Sequence, residues 1–269
     1  MPRAFWKGVI SFGMVAIPVR MYVATQSKPL SFHLLHGKCL TRPKQVLYCA
    51  TDNEYFAQKE TVRGFEYAKD RYVVLDEADF KKVPIKTSHA IDILAFCQAR
   101  EIDPIYYSGS HYLEPEELGA KPFRLLSDAL RKTGLLGIAK VVFQRREHLC
   151  CLRPFEDIIA LHTLLYEGEI VSREELTPAK VTVKADEVDL AVSLVKAMVH
   201  PFQPAEYKDE YQIALKTIVE AKVKGEEVVV PREEKVEIGD LMAALRASIE
   251  ATKKEAKKES RKEKEAAPA

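Results

Sequence analysis

The period of the apolar residues changes once along this chain, and that change constrains its fold more than any other feature. Val15, Ile17, Val19, Met21 and Val23 alternate with Ala16, Pro18, Arg20 and Tyr22, the period of two that sends one face of a strand to a core and the other to solvent. Pro18 has no backbone donor, so this strand is expected at an edge or at a bulge. Residues 5–12 and 32–35 read as neighbouring strands, with Gly13 at a tight turn. Beyond about residue 185 the spacing turns helical: Val188, Ala191, Val195 and Met198 mark one helix. Pro204 is read as opening another, which carries Tyr207, Tyr211, Leu215, Ile218 and Val219 and ends before Gly225, since proline suits a helix start and glycine its end. A strand core followed by helices defines an α+β chain. Helices outside a β core need a surface to cover, and in a small protein that surface can belong to a second copy.

Between these limits the pattern is finer. Short strands are expected over 44–49, 63–67 and 71–75, joined by polar stretches such as Asp52-Asn53-Glu54, with basic and aromatic residues interleaved (Lys44, Tyr48, Arg63, Phe65, Tyr67, Arg71, Tyr72). Asp76 caps a short helix over 77–83, and strands follow at 90–96 and 103–107. Ala120, Phe123, Leu126 and Leu130 share one helical face, and Gly134 ends that run. The apolar stretch 135–143 and the stretch 148–152 flank Gln144-Arg145-Arg146-Glu147, a hairpin with two arginines at its tip. Residues 226–239 read as a linker. Asp240 then caps a short helix with Leu241, Leu245 and Ile249 at i, i+4 and i+8 and Met242 beside them. From Lys253 onward lysine, glutamate and alanine leave no apolar stripe, the composition of a disordered tail.

Net charge is +1, but it is segregated: residues 1–72 hold 11 basic and 5 acidic side chains (+6), 73–120 hold 4 and 9 (−5), 121–153 hold 8 and 2 (+6), 154–250 hold 11 and 20 (−9), and 251–269 hold 7 and 4 (+3). Such blocks suit one face built for a polyanion. No apolar run approaches the ~18 residues of a membrane span, and residues 1–6 lack the apolar core of a leader. A cytoplasmic, nucleoid-associated protein without a membrane partner is expected. Five cysteines in no framework spacing fit reduced thiols. Gly-x-Gly-x-x-Gly, the P-loop, Gly-x-Ser-x-Gly and His-Glu-x-x-His are all absent from the sequence. His33, His36, Cys39 and Cys49 are zinc-ligand types. Their spacing lacks a Cys-x-x-Cys unit, and i and i+3 on a strand face opposite ways. No metal and no cofactor is expected.

Six stretches taken together resemble the bacterial Ku family. They are Phe5-Trp6-Lys7-Gly8-Val9-Ile10-Ser11-Phe12-Gly13 with Ile17-Pro18-Val19, Glu101-Ile102-Asp103-Pro104-Ile105-Tyr106-Tyr107 with Tyr112-Leu113, and Arg146-Glu147-His148-Leu149. Leu152-Arg153-Pro154, Tyr207-x-Asp209-Glu210-Tyr211 and Asp240-Leu241-Met242-x-Ala244-Leu245-x-x-Ser248 complete the set, over roughly residues 3–250. The sequence departs from the family pattern at Leu40, where many relatives have glycine, and after Cys49, where a proline is missing.

The resemblance implies a β-barrel core over 1–180 with a projecting arm at about 38–75, and a helical dimerisation arm over 186–224. It further implies a linker and ligase-recruiting helix over 226–252, and a basic tail over 253–269. Two copies would form a ring that encircles the ends of double-stranded DNA without catalysing any reaction. ATP-dependent DNA ligase D would be the partner in non-homologous end joining, engaged by Leu241, Met242, Leu245 and Ile249. Phosphate contacts carry no sequence information, and the candidates to make them are Arg20, Lys44, Arg63, Arg71, Arg131, Lys132, Arg145 and Arg146. Each of these also has a plain reading as a solvated surface charge. Two other functions stay open at this level: an RNA-binding β-barrel module, and a metal-dependent enzyme built on His33, His36, Cys39 and Cys49.

Overall fold

A computed structural model describes residues 3–82, 89–144, 146–179, 181–225 and 248–249. The chain divides into two units, 1–173 and 174–269. In the first unit the alternating apolar residues of β2 (Val15–Val23) bury Ile17, Val19 and Met21, each at 1% exposure or less. β1 (Trp6–Phe12) pairs antiparallel with it through the two-residue turn Gly13-Met14, and Gly13 takes the left-handed φ of 60° that this turn requires. Pro18 falls just before the ladder on the other side of β2, which begins at Val19 opposite Pro115, and its carbonyl accepts from the Glu116 N–H at 2.9 Å. The missing donor therefore costs that ladder nothing.

Four short strands follow outside the barrel, β3 (Leu47–Cys49), β4 (Glu54–Phe56), β5 (Arg63–Ala68) and β6 (Arg71–Leu75), paired as the two-stranded sheets β3–β4 and β5–β6. α1 (Glu77–Lys82) is capped by Asp76, whose carboxylate accepts from the Asp79 backbone N–H at 2.9 Å. β7 (Ala90–Gln98), β8 (Tyr107–Pro115), α2 (Ala120–Thr133), β9 (Leu135–Phe143), β10 (Arg146–Phe155) and β11 (Ile158–Leu164) complete the unit. The barrel closes in the order β1-β2-β8-β11-β10-β9-β7, and the closing pair, β7 with β1, is parallel. Closure removes the exposed edges that a seven-stranded open sheet would present.

α2 turns Phe123, Leu126 and Leu130 into the barrel's apolar cluster, beside Trp6, Ile10, Met21, Ile91 and Leu152. Gly134 ends the helix at φ 69°, as the sequence indicates. The Trp6 indole N–H donates to the Val142 carbonyl at 3.1 Å, so even this buried ring is satisfied. Full burial of each large apolar side chain contributes roughly 1.5–3 kcal/mol.

Several expected boundaries change. Residues 32–35 form no strand and stay exposed, because apolar residues without a ladder partner cannot satisfy a strand backbone. The stretch 103–107 is a 3-10 turn over Pro104–Tyr106, capped by Asp103 through a 2.9 Å bond from the Ile105 N–H, and β8 starts only at Tyr107. The strand expected over 44–49 shrinks to β3, while β4 and β11 are additional to the expected strands.

In the second unit, α3 (Ala185–Ala197) follows the expected stripe. α4 (Glu210–Lys224) starts later than Pro204, which opens only a 3-10 turn. The true cap is Asp209, which accepts from the Gln212 N–H at 2.9 Å; Gly225 ends α4 at φ 78°. Neither helix contains a buried residue.

Candidate nucleic-acid interface

A contact to phosphate needs a cation that the protein has not already neutralised. The stretch 38–75 contains seven basic residues (Lys38, Arg42, Lys44, Lys59, Arg63, Lys69, Arg71) and five acidic ones (Asp52, Glu54, Glu60, Glu66, Asp70), 7 − 5 = +2. Three of its carboxylates are engaged locally: Glu60 caps the Ala57 N–H, Glu66 accepts from the Asp70 N–H, and Asp52 accepts from the Cys49 thiol. Among the described residues, none of the seven cations is in an ion pair. Arg63 lies 5.3 Å above the Phe80 ring, a cation–π contact that leaves its charge intact.

The local fold makes this display possible. β5 and β6 join through Lys69-Asp70, with Asp70 at φ 58°, and β3 and β4 reach their turn with Asn53 at φ 54°. Asn and Asp tolerate the left-handed region better than other non-glycine residues. Tyr48 and Tyr55 meet across the first hairpin at 5.2 Å. Phe65, Tyr67 and Tyr72 remain about 60% exposed on the second. Lys38, Arg42, Lys59 and Lys69 are exposed in the same segment.

The barrel candidates are held differently. The Arg20 Nε donates to Glu116 at 3.2 Å beside Tyr22, whose hydroxyl donates to Glu114 at 2.5 Å. The hydrogen bond to Glu116 holds the guanidinium proton more tightly than usual. Arg131 pairs with Asp128 at 3.5 Å and donates to the Glu156 carbonyl. Arg146 pairs with Glu169, and bonds from the Tyr166 N–H and from Arg146 hold that carboxyl below its ordinary range. Lys132 and Lys44 are exposed without an ion pair among the described residues. Arg131 and Lys132 also sit in the last turn of α2, where cations favour the helix dipole. Arg145, Leu241, Met242 and Leu245 lie outside the described residues; Ile249 is helical and half-buried.

Of the four zinc-type side chains, the fold joins only His36 and Cys39, Nδ1 to Sγ at 3.0 Å. Among the described residues no group of three or more His, Cys, Asp or Glu can hold a metal ion. All five cysteines are free. No helix among the described residues is long and apolar enough to cross a membrane.

A closed barrel of seven strands with two exposed β hairpins inserted between its second strand and β7 defines the protein as a closed β-barrel with an inserted hairpin region. Residues 11–190 match the model described as the Ku70/Ku80 beta-barrel domain, and the chain belongs to the Ku family. It is 40% identical to the non-homologous end joining protein Ku of Symbiobacterium thermophilum over 250 residues, 91% of this chain and 62% of that protein. Identity is 37% to the Ku of Koribacter versatilis, over 92% of this chain and 86% of that protein. It is 40% to the Ku of Archaeoglobus fulgidus, over 91% of this chain and 98% of that protein. The chain thus spans less than two thirds of the first relative and nearly all of the last.

Proposed function

We propose that the protein binds the ends of double-stranded DNA without reading their sequence. Two copies close a ring through which the duplex threads, and the ring brings ATP-dependent DNA ligase D to the break in non-homologous end joining. The observation that carries this reading is the set of seven cations in 38–75, exposed on the two small β hairpins and the segments that flank them outside a Ku-type barrel, and in no ion pair among the described residues. A break can carry any sequence, so its receptor must grip what every step shares, the phosphates. Topology adds end selectivity: a closed ring loads only where the duplex stops, and it slides inward because no base contact fixes its register.

In this reading 38–75 is the encircling arm, 186–224 joins the two copies, and the helix of Leu241, Met242, Leu245 and Ile249 docks the ligase. The protein itself performs no chemistry and works in the cytoplasm at the nucleoid. Binding to a linear duplex and to a covalently closed circle of the same sequence tests threading directly. Strong binding to the linear form alone is expected, and equal binding to the circle refutes the ring. Light scattering should give about twice the 30.5 kDa chain mass. Stopping the chain after Gly225 should keep end binding and abolish stimulation of the ligase, whereas stopping after Ala251 should keep both.

A further inference from the structure

Two histidines face into one end of the barrel. His111 precedes Leu113 by two residues on β8 and His148 precedes Cys150 by two on β10; Leu113 and Cys150 are fully buried. A strand's period of two puts each histidine on the same inward face. Both rings pack around Phe143: His148 stacks on it at 4.0 Å and 13°, and His111 meets it edge-on at 5.5 Å. Phe5 closes the group, 5.4 Å from His111 and 5.7 Å from Phe143. His111 Nδ1 and His148 Nε2 are shut off from solvent, with no hydrogen-bond partner among the described residues. A second proton on either ring would fall on such a nitrogen, as an uncompensated charge between phenyl rings.

We propose that His111 and His148 form a proton-operated latch: while neutral they hold the β9–β10 hairpin and the segment before β1 against the barrel end, and protonation of either ring releases them. The surrounding charges point the same way. His111 is repelled by His148, and only the Leu161 carbonyl favours its charged form. His148 has Arg146 against it, with the Phe143 carbonyl and Glu169 as the weaker, favouring partners. His162, on the other face of β11, adds to the positive side together with Arg153, whose Nε donates to it at 2.8 Å. β9 and the N-terminal segment bring Phe143 and Phe5. Burial first, and these repulsions second, hold both rings below the ordinary histidine value.

The sign follows from proton counting. Between the folded value and about 6.5 the open form binds more protons, so the latch is fully closed above about pH 6.5 and loosens as pH falls. Opening should grow by up to about tenfold per pH unit for each histidine. The released hairpin ends at Arg146. One consequence rests on the DNA-end reading: acid would also withdraw that contact.

Hydrogen exchange on the full chain without DNA, at about pH 7.5, 6.5 and 5.5, tests the latch, together with NMR titration of the histidine ring protons. After correction for intrinsic exchange, protection over 141–143 and 146–150 should fall by about tenfold or more from pH 6.5 to 5.5, while α2 holds. His148→Phe keeps a stacking ring without the titrating group and should confine the loss to the share of His111. The wild-type titration stands even if that variant fails to fold. Unchanged hairpin protection at pH 5.5, or both rings titrating at or above 6.5, overturns the latch. Hairpin opening with unaltered DNA-end affinity supports the latch and refutes the DNA role of Arg146.

Discussion

Replacing Lys44, Arg63 and Arg71 together by glutamine separates a phosphate-gripping insert from a merely solvated one. All three are exposed, and none is in an ion pair among the described residues. In a two-copy ring the triple variant removes 3 × 2 = 6 cations. Each neutralised phosphate contributes about 0.9 to the slope of log K against log salt, so the slope should flatten by about 5. Between about 50 and 200 mM salt the wild type should then lose roughly a thousandfold more affinity than the variant. Fold stability should barely change, because what the variant takes from the fold is the cation–π pair of Arg63 and Phe80, worth about 0.5–1 kcal/mol at an exposed site. Arg20→Gln is the internal control: Glu116 already neutralises it, so the slope should stay as it is. Fluorescence anisotropy on a short duplex across a salt series measures both. A triple variant that keeps the wild-type slope, or an Arg20→Gln variant that flattens it equally, refutes the assignment.

Arg146→Gln should flatten the same slope by well under the about 2 that an unpaired cation contributes in a dimer, because Glu169 already neutralises it. Glu169→Gln, which releases the guanidinium, should tighten DNA-end binding at fixed salt; weaker binding would make the pair structural. Leu126→Ala, at a site only 2% exposed, should lower unfolding free energy by about 2–5 kcal/mol. Leu125→Ala next to it, 71% exposed, should stay within about 0.5 kcal/mol in the same urea titrations. The Cys39 thiol is drawn down to about 7, chiefly by the Thr41 hydroxyl and then by His36. Its alkylation by iodoacetamide should therefore be half-maximal near that pH and fall below it, because the thiolate is the nucleophile. Thr41→Val should shift the midpoint upward. Cys150, whose thiol burial pushes well above the ordinary range, should not react in the native protein.

How much of the fold is legible in the sequence depends on how one-sided each element is. β2 buries alternate residues, and its period of two is plain. β11 buries Ile159, Ala160, Leu161, Thr163 and Leu164, hence residues on both of its faces, and a strand covered on both sides shows no alternation. α2 stands out through its single apolar face and Gly134. The start of α4 is ambiguous in the sequence because Pro204 and Asp209 are both good start signals, and only the helix geometry decides for the aspartate. The Asp103-Pro104 pair likewise makes its own capped turn before β8 begins.

Charge is the harder matter, because a sequence records cations but not their partners. Residues 121–153 carry the same +6 as residues 1–72, yet the fold treats the two stretches differently. In 121–153, Arg124 and Arg131 both pair with Asp128, Lys140 with Glu147, and Arg146 with Glu169; Arg153 donates to His162. Glu169 lies 23 residues from Arg146, and Glu116 lies 96 from Arg20, separations that no local pattern reveals. In 38–75 three of the five carboxylates are engaged by backbone and thiol donors instead, and none of the five pairs with a cation among the described residues, so the cations there keep their charge for another partner. Screened, exposed ion pairs are weak and a phosphate can displace them, but each displacement opposes binding. In the proposed DNA-end reading the weight of a sequence-blind grip therefore shifts from the β9–β10 hairpin to the segment 38–75. For that reason the salt slope should respond more to Lys44, Arg63 and Arg71 than to Arg131 and Arg146.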